Sequence, residues 1–239
     1  MSMARCSVLV AEDDDDLRES LSLVLRSEGF RTQAAANGQQ ALALCRAQRP
    51  DVVLLDLHMP VMDGYEFLAV EEAVAEKRRL VATSGGHCLE GFVSDPEVRV
   101  IIDVSPMKRV YYDDRMRAIA VEAGATVGET FRALFEQWGT VVPLGEYPGV
   151  GMGGHVVGGA FGFLCRQLGL AADYLHAVEV VTVDDRGRAR SVVATRETAD
   201  PNRELWWAHT GGGGGNFGIV TRYWFRSPDA SAGDPTRLL

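Results

Sequence analysis

Glycine is spread so unevenly along the 239 residues that the chain reads as two structural programmes joined end to end. Gly29, Gly38 and Gly64 fall in residues 1–69, and the other 23 of the 26 glycines fall in residues 70–239. Glycine is placed where backbone turns tightly or approaches a ligand closely, because it has no Cβ to obstruct either. The first part is therefore expected to be built of ordinary strands and helices, and the second around tight loops.

The first part alternates strand and helix. Ser7–Ala11 is a short apolar run of the kind found in buried parallel strands. Asp14 or Asp15 can cap a following helix, in which Leu17, Leu21, Val24 and Leu25 recur at helical spacing and Gly29 supplies the stop. Arg31–Ala36 is a weak second strand, Gln39–Gln48 a second helix and Val52–Leu55 a third strand that ends at Asp56. A βαβαβ order implies a parallel sheet with right-handed crossovers, whose sites lie at the carboxyl ends of the strands. Glu12 and Asp13 follow the first strand and Asp56 closes the third. Three carboxylates at one edge repel one another unless a cation relieves them, and oxygen ligands suit Mg²⁺.

These residues carry a resemblance. Val8–Asp13, followed by Asp56-Leu-His-Met-Pro-Val-Met-Asp-Gly64, resembles the first half of a response-regulator receiver domain over about residues 5–68. The resemblance implies that Asp56 is the phospho-acceptor of a phosphorelay served by a histidine kinase, with Glu12 and Asp13 as its acid pair. The run of acids also permits Asp13 and Asp14 as the pair; Glu12 and Asp13 are favoured. A complete receiver has a fourth strand ending in Thr or Ser and a fifth ending in Lys before Pro. Leu80–Thr83 and Lys108 imitate these, but Arg109 follows Lys108, and both are read as coincidence.

The second part is a succession of glycine loops between short strands. Thr83–Gly91 follows an apolar strand, Val98–Val104 and Met116–Val121 read as further strands, and Glu122–Glu129 opens a helix over Thr130–Trp138. Gly145–Gly159 is the longest glycine run, and Thr210 with five glycines leads into Asn216–Thr221. Loops of this kind suit an extended anionic cofactor, whose pyrophosphate can lie against backbone amides where no Cβ intrudes. Gly149-Val-Gly-Met-Gly-Gly154 satisfies GxGxxG, with Asp173 following at 19 residues. It is rejected as a nicotinamide loop: Pro148 precedes it, Val141-Val142 is a poor strand, and the glycines continue to Gly159. The apolar flanks Leu205–Trp207 and Phe217–Val220 look buried, which weakens a linker reading of Gly211–Gly215, and Phe161, Phe163 and Trp207 are expected in the core.

In order, these loops resemble the FAD-binding, PCMH-type domain of berberine-bridge-enzyme-like oxidases, within the wider vanillyl-alcohol-oxidase-type flavoproteins. The carrying residues are Ser84-Gly-Gly-His87, Glu122–Ala125, Pro148–His155, Gly169-Leu170 with Asp173, Val178–Val181 and Gly211–Thr221, over about residues 69–228. The resemblance implies an α+β FAD domain and not a Rossmann fold. It implies that Ser84, Gly85 and Gly86 hold the pyrophosphate and that His87 bonds covalently to the flavin's methyl position. It further implies that Gly124, Gly151, Gly153, Gly154, His155, Gly158, Gly159, Asp173, Val180, Asn216, Phe217, Gly218, Ile219 and Val220 surround the cofactor.

There are departures from that family. Thr83 stands where it usually has Arg, and Tyr147 where doubly linked members have Cys, which allows one tether at most. The family's first strands are absent, the receiver-like half is in their place, and the substrate domain is expected to be missing. Helix Tyr65–Arg79 can serve either half. The expectation is thus α/β plus α+β: a truncated receiver-like unit (1–68), a PCMH-type FAD domain (69–228) and a tail (229–239). Its function is expected to be that of an FAD-linked oxidase module, incomplete for turnover, that takes a small-molecule reductant and oxygen. The alternatives are a phosphorelay protein or an inactive fusion.

The 33 acidic against 24 basic residues, net −9, argue against nucleic acid or an anionic membrane as partner. No run approaches the roughly 20 apolar residues of a membrane helix. The start of the chain does not read as a signal peptide, and the scattered Cys6, Cys45, Cys88 and Cys165 read as reduced thiols. A cytoplasmic protein is expected.

Overall fold

The computed structural model describes residues 6–56 and 68–227. It divides into two compact units. The first comprises residues up to Ala82 with Cys88–Asp103 and Val183–Arg190; the second comprises Thr83–His87, Val104–Thr182 and the chain from Ser191.

The first unit is built on a five-stranded sheet. β1 (Ser7–Ala11), β2 (Arg31–Ala35), β3 (Val52–Asp56), β4 (Arg79–Thr83) and β5 (Val98–Asp103) lie in the order β2-β1-β3-β5-β4. β1 pairs in parallel with both β2 and β3, and β3 pairs in parallel with β5. α1 (Asp15–Ser27) follows β1, and Asp14 caps it by accepting the Leu17 N–H. α2 (Gly38–Gln48) is capped by Asn37, and α3 (Leu68–Ala75) precedes β4. Leu9, Val53, Val100 and Ile102 are buried on one face of this sheet and Val10 on the other; Ala41 and Cys45 of α2 and Val70 and Ala73 of α3 are buried as well.

The βαβαβ opening is as the sequence implies. The later strands depart from a receiver: β5, not β4, lies beside β3, and β4 lies at the sheet's far edge. Thr83, at the end of β4, therefore does not stand on the strand next to the one that carries Asp56. Lys108 is paired with Glu129 at 3.2 Å.

The second unit is built on an antiparallel sheet. β6 (Val110–Asp113), β7 (Ala118–Glu122), β8 (Leu175–Val183), β9 (Ala189–Thr195) and β10 (Ile219–Phe225) lie in the order β6-β7-β10-β8-β9. β10 is antiparallel to both β7 and β8, and β6 to β7. β7 is buried along its whole length, Glu122 included. That carboxylate accepts the Arg109 N–H and Nε–H at 2.9 and 2.8 Å, so a fixed guanidinium offsets the burial of its charge. The mixed fold is the expected one.

Two helices differ from expectation. α4 begins at Val127, not Thr130, because Thr126 and Glu129 form a capping box across the first turn. Met152–Val157, within the expected glycine loop, is a short helix (α5) with Gly151 at its N-cap. α6 (Cys165–Leu168) and α7 (Arg203–Ala208) complete the described elements, with a 3₁₀ turn at Ala171–Tyr174. No described helix is long and apolar enough to cross a membrane, and none of the four cysteines is in a disulfide.

Candidate functional site

Three backbone segments meet in the second unit: Ser84–Gly86, Glu122–Ala125 and Pro148–Gly154. They touch through glycines. A Cβ on Gly85 would stand 2.3 Å from the Gly151 nitrogen, one on Gly151 2.1 Å from Ser84 Oγ, and one on Gly124 1.9 Å from the Val104 carbonyl oxygen. No side chain fits at such distances, so the protein's packing on itself requires glycine at all three. Hydrogen bonds lock the arrangement. Ser84 Oγ donates to the Ala123 carbonyl at 2.6 Å, and the Gly153 and Met152 N–H groups donate to Ala123 and Ala125 at 2.8 Å each. From β10, the buried Tyr223 hydroxyl donates to the Gly153 carbonyl at 2.7 Å.

Gly86 and Gly154 differ from these. Both are exposed, and at neither would a Cβ find an atom within 4 Å. Gly86 has φ +70°, which alone favours glycine. Gly154 has no such excuse: it is helical, in the first turn of α5. Alanine there would favour the helix by up to about 1 kcal/mol. No described protein atom accepts its N–H. An open glycine with an unused N–H leaves room for an anionic group to lie directly on the chain.

His87 follows Gly86 and is exposed. Its Nδ1–H donates to the Gly85 carbonyl at 2.7 Å, and its ring lies 5.2 Å from that of Tyr147, centroid to centroid. The two positions expected to bear the family's tethers are thus neighbours, and only one carries a nucleophilic side chain.

His155, on α5, accepts the Gly145 N–H at its Nε2, 2.8 Å away. Its role here is to hold the loop before Pro148, and burial pushes its pKa below the ordinary 6.5. Gly158 and Gly159 carry the chain out of α5, Gly159 at φ +96°. Asp173 is an exposed turn cap whose Oδ2 accepts the Leu170 N–H at 2.7 Å. Val180 pairs with Val220 in the sheet, and both are buried, as is Ile219. Asn216, Phe217 and Gly218 are exposed at the end of the last glycine loop, where Phe217 meets His209 edge-on at 6.0 Å.

Phe161, Phe163 and Trp207 are not core residues. They are 71%, 83% and 65% exposed. Gly162 between the two phenylalanines is pressed against the Leu144 carbonyl, which turns both rings outward. Tyr223 is the site residue that the sequence does not reveal; nothing in Tyr223-Trp-Phe225 marks one aromatic as reaching a loop carbonyl. The Thr126-x-x-Glu129 box is the signal that places the start of α4.

At the receiver-like edge, β1 and β3 run side by side with Ala11 opposite Leu55. Glu12 is buried and its Oε1 accepts the Asp14 N–H at 3.2 Å, while Asp13 is exposed. The backbone of Asp56 ends β3, but its side chain lies outside the described residues, as do residues 57–67 with the rest of that motif. Among the described residues no group of three potential metal ligands converges.

Buried imidazoles make the fold acid-sensitive. Burial lowers the pKa of His155, His176 and His209, that of His176 to about 4, where Arg226 adds to the effect and Glu197 opposes it. Unfolded histidine takes a proton near pH 6.5, while folded His176 stays neutral until about pH 4. Stability is therefore unaffected above about pH 6.5 and falls as pH drops towards 4, by on the order of 3 kcal/mol from His176 alone. Urea unfolding at pH 7 and pH 4.5 should show this loss, and His176→Gln should flatten it.

The chain matches two family models: the response regulator receiver domain over residues 8–84 and the FAD binding domain over residues 68–190. It is 60% identical over 193 residues to aclacinomycin-N/aclacinomycin-A oxidase of Streptomyces galilaeus, covering 80% of this chain and 34% of that one. It is 46% identical over 145 residues to hexose oxidase of Chondrus crispus, covering 60% and 26%. The crystal structure of aclacinomycin oxidoreductase superposes with TM-score 0.73 at 59% identity, covering 78% of this chain and 37% of that one. That of a glycopeptide hexose oxidase complexed with teicoplanin gives 0.69 at 52%, covering 72% and 34%. The chain thus spans about a third or less of the length of these relatives.

Proposed function

The chain belongs to the FAD binding domain family, and on that premise we propose that it is the flavin-holding module of an oxidase-type oxidoreductase. Ser84, Gly85, Gly86 and Gly154 hold the pyrophosphate on backbone amides, and His87 is the point of covalent attachment. Gly151 and Gly153 keep the three segments in contact, Gly124 packs the second of them against Val104 and Ser105, and His155 fixes the loop before Pro148 through Gly145. Gly158, Gly159 and Asp173 shape the chain that leaves this helix, and Val180 with Asn216–Val220 walls the opposite side. When bound, flavin would supply an electron sink for hydride from a small-molecule reductant, with oxygen as the final acceptor. The observation that carries this reading is Gly154, an exposed helical glycine that the protein's own packing does not require.

The test separates binding from attachment. Acid denaturation of the flavin-loaded chain should leave flavin fluorescence in the protein pellet. His87→Ala should move it to the supernatant, and Cys88→Ala should not. Flavin wholly in the supernatant for the unaltered chain would refute the tether and leave binding intact.

A second reading is favoured by the adjacency of β1 and β3: phosphorylation of Asp56 by a histidine kinase, with Mg²⁺ on Glu12, Asp13 and Asp56. The added phosphoryl charge requires the metal. Labelling by a small phosphodonor should then depend on Mg²⁺ and vanish in Asp56→Asn; metal-independent labelling would count against it.

A further inference from the structure

The receiver-like match ends at residue 84 and the FAD-binding match begins at residue 68, so β3 lies only in the former and β5 only in the latter. These two strands are hydrogen-bonded neighbours in one sheet. Val53 stands opposite Val100, Leu54 opposite Ile101, Leu55 opposite Ile102 and Asp56 opposite Asp103. β5 is an interior strand, with β3 on one side and β4 on the other. Its residues alternate, Val98, Val100 and Ile102 being buried at 6%, 2% and 0% exposure, and Val53 across from Val100 is at 3%. Interior parallel strands depend on both neighbours: without β3, the β5 edge would present unpaired N–H and C=O groups beside exposed Val100 and Ile102.

We propose that the receiver-like half serves as a strand donor: β3 completes the sheet that holds the flavin half's β5, with β4, a strand shared by both matches, on the other side of β5. This is a structural role, separate from phosphorylation. It rests on strand order. A receiver's fourth strand would pair with β3, but β4 stands one place further out and β5 fills the position. The register holds over four consecutive residue pairs, which places Val53 and Val100 on the same face of one apolar layer. α3, shared by both matches, packs against β5 and adds Val70 and Ala73 to the same core. The sheet therefore continues across the sequence junction, and β5 has no complete partner set within the flavin half's own described strands.

Native-state hydrogen exchange of the unaltered full chain in low urea tests this without any flavin. Amides of 52–56 and 98–103 should share one opening reaction, with the same urea dependence. Opening of 98–103 with 118–122, or independently of 52–56, would overturn the proposal. Val53→Asp should lower protection of 98–103 by roughly a hundredfold, and Val53→Ala by roughly tenfold. The exposed Leu23→Ala on α1 should leave it unchanged. Wild-type protection of 98–103 in both Val53 variants would likewise overturn it.

Discussion

Gly151→Ala should largely destroy the cradle, while Gly154→Ala, three residues on, should strengthen the flavin-free fold and weaken flavin uptake. A Cβ at 151 meets Ser84 Oγ at 2.1 Å and the Gly85 nitrogen at 2.2 Å. The second contact is backbone, so a rotamer change cannot relieve it, and the segments must separate. A loss of at least about 3 kcal/mol is expected, near 10 °C in melting temperature for a chain of this size. At 154 the added methyl touches nothing and replaces a helical glycine. Stability without flavin should rise by up to about 1 kcal/mol. The same methyl would occupy the place proposed for the pyrophosphate, and FAD affinity should fall by more than roughly tenfold, equivalent to 1.4 kcal/mol. Thermal unfolding without cofactor and FAD titration together separate these effects. Equal loss of stability in both variants would show that Gly154 is only a packing residue.

The second large effect concerns turnover. Loaded with flavin, the 239-residue chain should be reduced by alcohols or sugars at least ~10⁴-fold more slowly than a full-length oxidase of the family, because positioning and a general base each contribute on that order. The site as described offers neither. Phe161, Phe163 and Trp207 face solvent rather than line a substrate pocket. The exposed imidazole of His87 is the proposed tether, and His155 and His209 are turned to Gly145 and Leu205. Anaerobic stopped-flow reduction with a panel of alcohols and sugars is the check. Fast, saturable reduction by any of them would show that these residues suffice.

Much of this molecule is legible in its residues because local chemistry decides it. The βαβαβ opening comes from apolar runs and from caps such as Asp14 and Asn37. The contact loops come from glycines that no other residue can replace, at 85, 124 and 151. Sequence spacing does not reveal partners distant along the chain. Nothing local distinguishes Val98–Asp103 as the neighbour of Val52–Asp56, since a parallel strand reads as apolar whichever strand lies beside it. The outward turn of Phe161 and Phe163 depends on the contact of Gly162 with Leu144, which apolarity alone reads as burial. Tyr223 reaches Gly153 across 70 residues, and its neighbours in the strand are aromatic too. Met152–Val157 reads as loop because glycine disfavours helices, but two carbonyls from Ala123 and Ala125 anchor its first turn.

Flavin retention by the purified full chain, after incubation with excess FAD and exhaustive dialysis, is the most direct test of a flavin-holding module. Close to one FAD per chain is predicted, with the visible absorption bands of a bound flavin and loss of that retention in Gly151→Ala. A colourless, folded chain that takes up no FAD would contradict it.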